Sequence, residues 1–399
     1  MNNVYIIDAT RTPIGKYGGV LSTTRPDDLL AHVIKALLQR NSTIDVNAIE
    51  DVIAGAANQA GEDNRNVARM AALLAGLPVT VAGNTVNRLC GSGLQAVMDA
   101  ARQVICGDAE LIIAGGVESM TRAPFVLSKA SEAFSRSAEI FDTTMGWRFI
   151  NKNLSALYHP YTMGETAENV AKQWNISRQE QDQFALASQQ KYFAAKAAGK
   201  WKDEIAGIEI IKGKEKMTVD TDEHPRETSL EKLSILKPAF IKDGTVTAGN
   251  SSGINDGAAA LLLASEAAVK KYALKPLATI RSMAVAGVDP AIMGIGPVPA
   301  TQKALQRAGL KIADIGLTEL NEAFASQSLA CIKDLGLDMN TVNVNGGAIA
   351  LGHPLGCSGA RISATLLYEM KRRKTKYGLA TMCVGVGQGA AVIYENMGN

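Results

Sequence analysis

The chain has 399 residues, 47% of them hydrophobic and 20% charged, which is enough for roughly two or three hydrophobic cores and excludes a disordered chain. Its 41 basic and 39 acidic residues leave a formal charge of +2, too small for a broad field that would attract nucleic acid or a membrane surface. Five cysteines without a CxxC pair favour a reduced, cytoplasmic protein, and no run reaches the roughly 18 apolar residues that a membrane span requires.

Strand and helix patterns alternate over the first part of the chain. Apolar or extended segments predict strands at 4–15, 50–57, 84–90 and 110–118. Helix-type spacing of apolar residues predicts helices at 27–40, 61–76 and 91–107. Alternation of this kind predicts an α/β core.

The last third of the chain repeats this order. Its segments are 278–287, a helix pattern over 290–309, then 317–327, 356–373 and 379–395. The Cys-Gly-Ser-Gly run that starts at Cys90 aligns with the Cys-Ser-Gly run that starts at Cys357, and strand 110–118 aligns with 379–395 at nearly the same offset. We therefore predict an internal duplication; the alternative is the chance self-alignment of an α/β chain.

The region between the two halves has a different composition. Residues 121–246 contain all three tryptophans and a long charged helix pattern over 177–199. We therefore predict three parts: a first half formed by residues 1–120 together with 247–270, an inserted loop domain over 121–246, and a second half over 271–399.

Cys90 is the first candidate for chemistry. It precedes Gly91-Ser92-Gly93 and a predicted helix, so its sulfur should lie near unpaired backbone N–H groups and the positive end of the helix dipole. Both effects predict a lowered thiol pKa and a nucleophile near neutral pH. The alternative is a small buried hydrophobic side chain at a helix start.

Cys383 is the second candidate. It follows an apolar strand pattern and precedes Gly385, Gly387 and Gly389, whose exposed backbone N–H groups are candidates for an oxyanion hole. Taken alone, Cys383 fits a core cysteine in a glycine-rich turn better than a reacting group. Only a pairing with Cys90 makes it a candidate for proton transfer.

His353 lies between Gly352 and Pro354, where a helix is blocked and the imidazole is held on a turn. It can take a proton from a nearby thiol or donate one to a developing oxyanion. A metal site is not predicted, because only Cys357 has ligand spacing from this histidine and Pro354 interrupts the helix that such a pair would need.

Asn321 and Glu322 stand at the end of a short strand pattern. The amide of Asn321 can hold a water or orient the histidine, and Glu322 can support the site through hydrogen bonds. Asn321 also fits a helix N-cap, and the two interpretations are compatible.

Six segments make the chain resemble the thiolase family over essentially its full length: NRLCGSG, AGGVESM, VTAGNSSGINDGAA, NEAFA, GGAIALGHPLGCSGAR and CVGVGQG, in that order. The resemblance implies an α/β fold with a duplicated five-layer α/β/α/β/α core and an inserted loop domain, in agreement with the predicted duplication. It also implies a homotetramer (a dimer of dimers) or a homodimer, in which segment 121–150 is used for pairing.

By the same resemblance, Cys90 is the acyl-accepting nucleophile and Cys383 moves the proton at the acetyl carbon. His353 activates Cys90 and, with a water fixed by Asn321, forms one oxyanion hole; the N–H groups of Cys90 and Gly385 form the other. Coenzyme A is a substrate here and lies against the loop domain, and no metal or redox cofactor is implied. Its implied contacts are Arg226 at the nucleotide end, Met163 and Phe324 near the pantetheine, and Ala248, Ser252 and Ala323.

One departure from the family pattern bears on the substrate. Acetoacetyl-specific thiolases carry a Tyr-His-Met-Gly run, whereas this chain has Thr162 before Met163, which favours a degradative thiolase. Segments 61–71 and 142–151 resemble β-ketoadipyl-CoA thiolases, whose substrate ends in a carboxylate. The candidate cations for that carboxylate are Arg65, Arg69, Arg122, Lys129 and Arg148.

The predicted activity is cleavage of a 3-oxoacyl-CoA, with 3-oxoadipyl-CoA as the first candidate, to acetyl-CoA and succinyl-CoA. A general fatty-acid 3-ketoacyl-CoA thiolase and an acetoacetyl-CoA thiolase are the nearest alternatives. A decarboxylating ketoacyl synthase would carry a histidine or an asparagine where this chain has Cys383. A cysteine hydrolase using Cys90, His353 and Asn321 is a further alternative, and a non-catalytic CoA-ester binding protein is the last.

Overall fold

The computed structural model describes residues 3–130 and 132–398, and the chain alternates strands with helices up to residue 119. The strands are β1 (Val4–Arg11), β2 (Gly15–Lys16), β3 (Asp51–Gly55), β4 (Ala82–Val86) and β5 (Leu111–Ser119). The helices are α1 (Pro26–Arg40), α2 (Val67–Leu74) and α3 (Ser92–Cys106). α2 begins later than its periodicity predicts, because Asn64 and Arg65 have positive φ angles and Asn66 caps the helix by accepting a hydrogen bond from Arg69 N.

The region between β5 and the next long strand forms smaller elements. Its strands pair as two hairpin-like sheets: β6 (Phe125–Leu127) with β7 (Ile140–Asp142), and β8 (Ile208–Lys212) with β9 (Glu215–Val219). Its helices are α4 (Lys152–Leu157), α5 (Met163–Gln173), α6 (Arg178–Ala197) and α7 (Leu230–Ser234). Capping boxes at Thr162 and Ser177 start α5 and α6, since each side chain accepts a hydrogen bond from a backbone N–H three residues later.

The rest of the chain returns to long strands and buried helices. The strands are β10 (Asn255–Ser265), β11 (Ala278–Gly287), β12 (Leu317–Leu320), β13 (Tyr377–Val384) and β14 (Gln388–Asn396). The helices are α8 (Glu266–Lys271), α9 (Pro297–Ala308), α10 (Ala325–Leu335), α11 (Ala348–Leu351) and α12 (Leu355–Arg373). The helix predicted over 290–309 is split, because its first part, Pro290–Ile295, is a 3₁₀ turn.

The strand order of the main sheet is β12-β13-β14-β11-β1-β10-β5-β3-β4, which is symmetric about the β11/β1 contact except that β4 extends one edge. β1 and β11 meet through only two residue pairs, Tyr5 with Thr279 and Ile6 with Ala278, so the sheet divides there into two halves. Outward from this contact, β10 and β14 come first, and they run antiparallel to their outer neighbours β5 and β13. These neighbours follow the buried helices α3 and α12. The next strands, β3 and β12, run parallel to β5 and β13. This symmetry confirms the internal duplication.

The two halves pack in five layers around α3 and α12. These two helices share one core with the inner faces of β5, β10, β13 and β14. α1 and α2 cover the outer face of the first half, and α9 covers the outer face of the second. Successive residues of one strand face different cores: Ile112 of β5 belongs to the central core, while Leu111 and Ile113 belong to the outer one.

Arg11 anchors the inserted region to β1. Its side chain is fully buried, with Nε 2.6 Å from Glu204 and Nη1 2.6 Å from Asp222. Removing one partner of such a network leaves an uncompensated buried charge and destabilises by about 3–5 kcal/mol. The insertion is therefore docked on the core by charge as well as by packing.

Candidate active site

Cys90 lies in a tight turn directly before α3. Ser92 closes the turn, because its hydroxyl accepts a hydrogen bond from Arg88 N at 2.9 Å and donates to the Leu89 carbonyl at 2.6 Å. Leu89 has a φ of 47°, a strained conformation for a leucine. Cys90 is half-buried and stands at the helix start, where the sequence placed it.

The pKa of the Cys90 thiol differs from the prediction. Burial raises the pKa of Cys90 to about 11, although the backbone N–H groups of Gly385 and of Cys90 itself act in the opposite direction. The predicted lowering of the pKa is therefore wrong, since desolvation of the thiolate outweighs the nearby N–H groups. Cys90 is a thiol at neutral pH and needs a base to become a nucleophile.

His353 lies on the turn between α11 and α12 and is 5% exposed. Its backbone N–H donates to Asn255 Oδ1 at 2.9 Å, and the Asn255 side chain fills the space that a Cβ on Gly352 would need. Gly352 also has a φ of 104°, which glycine alone adopts without strain. The turn that holds the imidazole therefore depends on Gly352 and Asn255 together.

The hydrogen bonds of the imidazole assign its tautomer. Ser358 Oγ donates its only proton to the Pro354 carbonyl at 2.9 Å, so it accepts from His353 Nδ1–H at 2.6 Å. Nε2 is then unprotonated and accepts from Asn321 Nδ2 at 3.4 Å. Burial, with a smaller effect of the Arg361 charge, lowers the pKa of His353 to about 3. His353 is therefore neutral at pH 7, and its Nε2 is a free base.

Asn321 directly follows β12 and is fully buried. Its Oδ1 has no hydrogen-bond partner among the described residues, so this atom is available to a water or a substrate group. Asn321 is not a helix N-cap, and that interpretation is wrong. Its backbone N–H donates to the Thr381 carbonyl at 3.0 Å and extends the ladder to β13, so α10 begins only after Phe324.

Glu322 supports the segment that leads to His353. Its carboxylate accepts hydrogen bonds from Ser188 Oγ at 2.7 Å, Asn343 Nδ2 at 2.8 Å and Ile349 N at 3.1 Å. This agrees with the supporting role predicted from the sequence.

Cys383 lies near the end of β13 and is 1% exposed. Burial raises the pKa of Cys383 well above its usual value, and the charge of a Cys90 thiolate raises it further. The two thiols therefore interact, although they come from different halves of the chain. Gly385, two residues beyond Cys383, directs its backbone N–H to the Cys90 thiol. No hydrogen bond joins His353 to Cys90 within the described part of the chain.

The residues expected at the nucleotide end of coenzyme A lie at the surface. Arg226 is exposed, and its guanidinium donates to the Ala248 carbonyl at 2.9 Å. Ser252, four residues beyond Ala248, donates its backbone N–H to the Ala323 carbonyl at 3.0 Å. These contacts connect the exposed Arg226 side chain to the segment that follows Asn321.

The residues expected near the pantetheine reach the buried thiol. Met163, Ala323 and Phe324 pack in one cluster with Cys383. The Met163 sulfur also lies 3.6 Å from the position that a Cβ on Gly385 would take. A continuous set of predicted contacts therefore runs from Arg226 at the surface to Cys383.

Glu118 is a site residue that the sequence analysis missed. Its carboxylate, at the end of β5, accepts hydrogen bonds from the backbone N–H groups of Ala57 at 2.9 Å, Asn58 at 3.0 Å and Gly356 at 2.8 Å. It therefore ties the first half of the molecule to the start of α12. Burial raises its pKa to about 7. An acidic residue inside the apolar strand AGGVES was the signal that would have found it, since such a group needs partners.

Ser358 and Asn255 were missed as well, although both bond to His353. Ser358 lies one helical turn beyond Pro354, so its spacing from His353 offered a weak signal. Asn255 offered none, because it is distant in the sequence and reaches the turn only through the fold.

The five candidate cations for a substrate carboxylate divide into two groups. Arg122 is paired with Glu62, and Arg69 donates to the carbonyls of Val79 and Val81, so both are engaged within the protein. The other three candidates form no ion pair within the described ranges. Arg148 is half-buried, whereas Arg65 and Lys129 are exposed.

These groups suit one kind of chemistry. A thiol with a neutral imidazole near the same helix pair can form a thioester, and backbone N–H groups beside it can hold the oxyanion. A second, buried thiol can move a proton at carbon. A fold and a site of this kind suit an enzyme that transfers acyl groups.

The comparison with protein families makes this specific. The models of the thiolase N-terminal and C-terminal domains match residues 4–267 and 274–396. The chain belongs to the thiolase family, and it is an acyltransferase with the predicted duplicated fold.

Individual relatives match over their whole length. The 3-oxoadipyl-CoA/3-oxo-5,6-dehydrosuberyl-CoA thiolase of Escherichia coli K12 is 56% identical over 100% of both chains. A β-ketoadipyl-CoA thiolase of Acinetobacter baylyi is 55% identical over 100% of both chains. The crystal structure of human mitochondrial 3-ketoacyl-CoA thiolase in complex with CoA is 43% identical, with a TM-score of 0.92 over 99% of this chain and 98% of that chain.

Two further findings concern other kinds of site. No group of three or more histidine, cysteine, aspartate or glutamate side chains is placed to hold a metal ion in the residues that the structure describes. Across the same residues, no helix has both the length and the apolar character needed to cross a membrane.

Proposed function

We propose that this thiolase cleaves 3-oxoadipyl-CoA with free CoA, giving acetyl-CoA and succinyl-CoA. The observation that carries the substrate is the full-length identity of 55–56% to thiolases that act on this compound by name. Thr162 argues against acetoacetyl-CoA as the substrate. It caps α5 through reciprocal hydrogen bonds with Glu165, where acetoacetyl-specific thiolases carry a histidine.

The first half-reaction begins with proton transfer from the Cys90 thiol to His353 Nε2. The Cys90 sulfur then bonds to the 3-oxo carbon, and the N–H groups of Cys90 and Gly385 stabilise the oxyanion. The bond between C2 and C3 breaks, and Cys383 gives its proton to C2 of the departing acetyl-CoA. His353 and a water on Asn321 Oδ1 stabilise the negative charge on the acetyl thioester oxygen.

The second half-reaction returns the enzyme to its starting state. The thiol of free CoA gives its proton to the Cys383 thiolate and attacks the acyl carbon on Cys90. The bond to the Cys90 sulfur breaks, and Cys90 takes back its proton from His353. Each step is a proton or acyl transfer, so the reaction needs no redox cofactor or metal, and its covalent intermediate implies ping-pong kinetics.

Coenzyme A is proposed to lie along the contacts that lead from Arg226 to Cys383. The guanidinium of Arg226 would meet the phosphates of the nucleotide end. Met163, Ala323 and Phe324 would line the pantetheine arm, and Ala248 and Ser252 would contact it between the two ends.

Arg148 is the cation that we assign to the terminal carboxylate of the acyl group. Arg148 follows Trp147, whose Nε1 donates to the Tyr161 carbonyl at 2.9 Å, two residues before α5 begins at Met163. The Met163 sulfur in turn approaches Gly385. A half-buried guanidinium without an ion pair is well suited to bind a carboxylate through two parallel hydrogen bonds.

The substrate assignment is tested by comparing kcat/KM for 3-oxoadipyl-CoA with that for 3-oxohexanoyl-CoA, which has the same chain length and no carboxylate, and for acetoacetyl-CoA. We expect a preference for 3-oxoadipyl-CoA of about tenfold or more, equivalent to ~1.4 kcal/mol. Arg148→Ala should remove that preference and leave the uncharged substrate unaffected, whereas the controls Arg65→Ala and Lys129→Ala should keep it. Equal rates on 3-oxohexanoyl-CoA would favour a general 3-ketoacyl-CoA thiolase.

The assembly is proposed to be a homotetramer, with a homodimer as the alternative. Segment 125–158 exposes several large apolar side chains, among them Phe125 at 73%, Phe134 at 98% and Leu157 at 76%. Apolar surface of this kind is typical of protein contacts. Mass photometry should give four times the chain mass of 42.1 kDa, and Phe125→Glu should reduce it.

A further inference from the structure

Two residues outside the proposed chemistry join the loops that carry it. Arg88 Nη1 donates to Gln388 Oε1 at 2.8 Å, and Gln388 Nε2 lies 3.5 Å from the Gly385 carbonyl. Arg88 stands two residues before Cys90, whereas Gln388 begins β14 in the other half. One chain of polar contacts therefore connects the nucleophile loop to the peptide that supplies an oxyanion N–H.

Arg88 is held in place by α3 rather than by a carboxylate. Its Nε donates to Gln95 Oε1 at 2.7 Å, and Gln95 Nε2 donates to Asp99 Oδ1 at 2.7 Å one turn further along the helix. Within the residues that the structure describes, no acidic side chain lies at ion-pair distance from Arg88. The guanidinium is thus oriented by two amide oxygens, one from each half of the molecule.

The two loops that this contact joins are strained and tightly packed. Leu89 and Val386 both have positive φ angles, 47° and 61°, and such conformations cost about 1–3 kcal/mol each. Leu89 Cδ1 lies 3.2 Å from the position of a Cβ on Gly385. No strand pairing joins segment 87–91 to segment 385–388 in the described structure. The direct contacts between the two loops are therefore made by side chains rather than by backbone pairing.

We propose that Arg88 and Gln388 are positioning residues that set the distance between the Cys90 sulfur and the Gly385 N–H. The inference rests on the proposed acyl-Cys90 chemistry and adds a requirement to it. Because the oxyanion forms at the acyl carbon on Cys90, the N–H must meet it within the geometry of a hydrogen bond. A misplacement of about 1 Å is enough to lower a rate about 100-fold.

The consequence is a specific kinetic signature. The contacts proposed for coenzyme A involve the loop domain and residues 248–252 and 323–324, to which Arg88 and Gln388 make no hydrogen bond in the described structure. Loss of the Arg88–Gln388 contact should therefore lower kcat and leave KM for CoA nearly unchanged.

The test uses Arg88→Met, Gln388→Met and the double variant in the full-length enzyme. Each single change should lower kcat for thiolysis about 10- to 100-fold with KM for CoA within about twofold. The double variant should be no slower than the slower single variant, because both changes remove one contact. Arg88→Lys, which keeps a donor of similar length, should recover part of kcat. Arg307→Met is the control: Arg307 lies on α9 and donates to the Met283 carbonyl, outside the contacts that hold Arg88 and Gln388, so kcat should not change.

Three results would overturn the inference: additive losses in the double variant, a rise in KM equal to the fall in kcat, or a loss of kcat that accompanies a change in oligomer mass. The wild-type enzyme separates this inference from the proposed function. If wild type forms no acyl adduct at Cys90, the proposed function fails. If it forms the adduct and turns over while both variants keep full kcat, only the positioning role fails.

Discussion

The two halves of the molecule share an architecture but contribute unequally to the candidate site. Each places a buried helix, α3 or α12, before a buried strand, β5 or β13. In the first half, Cys90 precedes the helix and Glu118 lies at the end of the strand. In the second half, His353 and Ser358 flank the helix start, and Cys383 lies at the end of the strand.

Two cysteines at aligned positions of the two halves differ in their exposure to solvent. Cys90 precedes the first turn of α3 and is half-buried, whereas Cys357 lies inside the first turn of α12 and has no exposed surface. A thiol can accept an acyl group only where a substrate can approach it. In the proposed reaction, one of the two equivalent helix starts carries the nucleophile and the other holds the base.

The largest expected effect is that of removing the Cys90 thiol, the more exposed of the two aligned cysteines. Cys90→Ala should abolish acyl-enzyme formation and lower thiolysis by about 10⁴-fold or more, because the proposed reaction carries the acyl group on this thiol. Intact-protein mass spectrometry after exposure to acetyl-CoA measures the adduct. Cys106→Ser, at an exposed thiol outside the site, is the control and should form the adduct normally. An adduct of equal yield on the Cys90→Ala variant would contradict the assignment.

Cys383→Ala is expected to separate the two roles of the paired thiols. Cys90 should still be acylated by a thioester, but cleavage of the carbon–carbon bond should fall about 10²- to 10⁴-fold, because no group remains to protonate C2. Acylation by mass and cleavage of 3-oxoadipyl-CoA are measured on the same preparation. Loss of both activities together would argue against a proton-transfer role for Cys383.

His353→Gln is expected to lower acylation about 10²- to 10³-fold, since the thiol, with its pKa of about 11, then lacks a base. Ser358→Ala keeps the imidazole but removes the acceptor for Nδ1–H, and a loss of about tenfold is expected. Acylation rates measured from pH 6 to 10 distinguish the two. The deficit of the His353→Gln variant should shrink as hydroxide ionises the thiol directly, and a deficit that is constant with pH would contradict the role of base.

Much of the fold could be predicted because its signals are local. The alternation of strands and helices and the repeat of the Cys-Gly-Ser run are visible within short windows, and the symmetric strand order follows from them. The start of α2 was misplaced, because positive φ angles at Asn64 and Arg65 leave no mark on apolar periodicity.

The identity of the candidate residues was more predictable than their electrostatics. Cys90 stands at a helix start as expected, but the sign of its pKa shift depends on how many atoms surround the sulfur, which no local pattern contains. The sequence around Asn321 is typical of a helix cap. In the fold, its backbone N–H instead extends the hydrogen-bond ladder between β12 and β13. Asn255 and Gln388 entered the site through tertiary contacts alone.

Glu118→Gln is expected to lower kcat by at most about tenfold, because it loosens the start of α12 without removing a reacting group. Its clearest effect should be on stability. Burial raises the pKa of Glu118 to about 7 in the folded protein, from 4.5. The stabilising contribution of the protonated folded state is therefore fully present below pH 4.5 and is lost as pH rises through 7.

The free energy of unfolding of wild type minus that of the Glu118→Gln variant should accordingly fall by about 3 kcal/mol between pH 4.5 and 8, as urea titration at each pH would measure. The difference isolates Glu118, because all other titrating groups are common to both proteins. A difference for Glu118→Gln that is flat with pH would mean that this carboxylate stays ionised in the folded protein, held by its three N–H donors rather than destabilised by its burial.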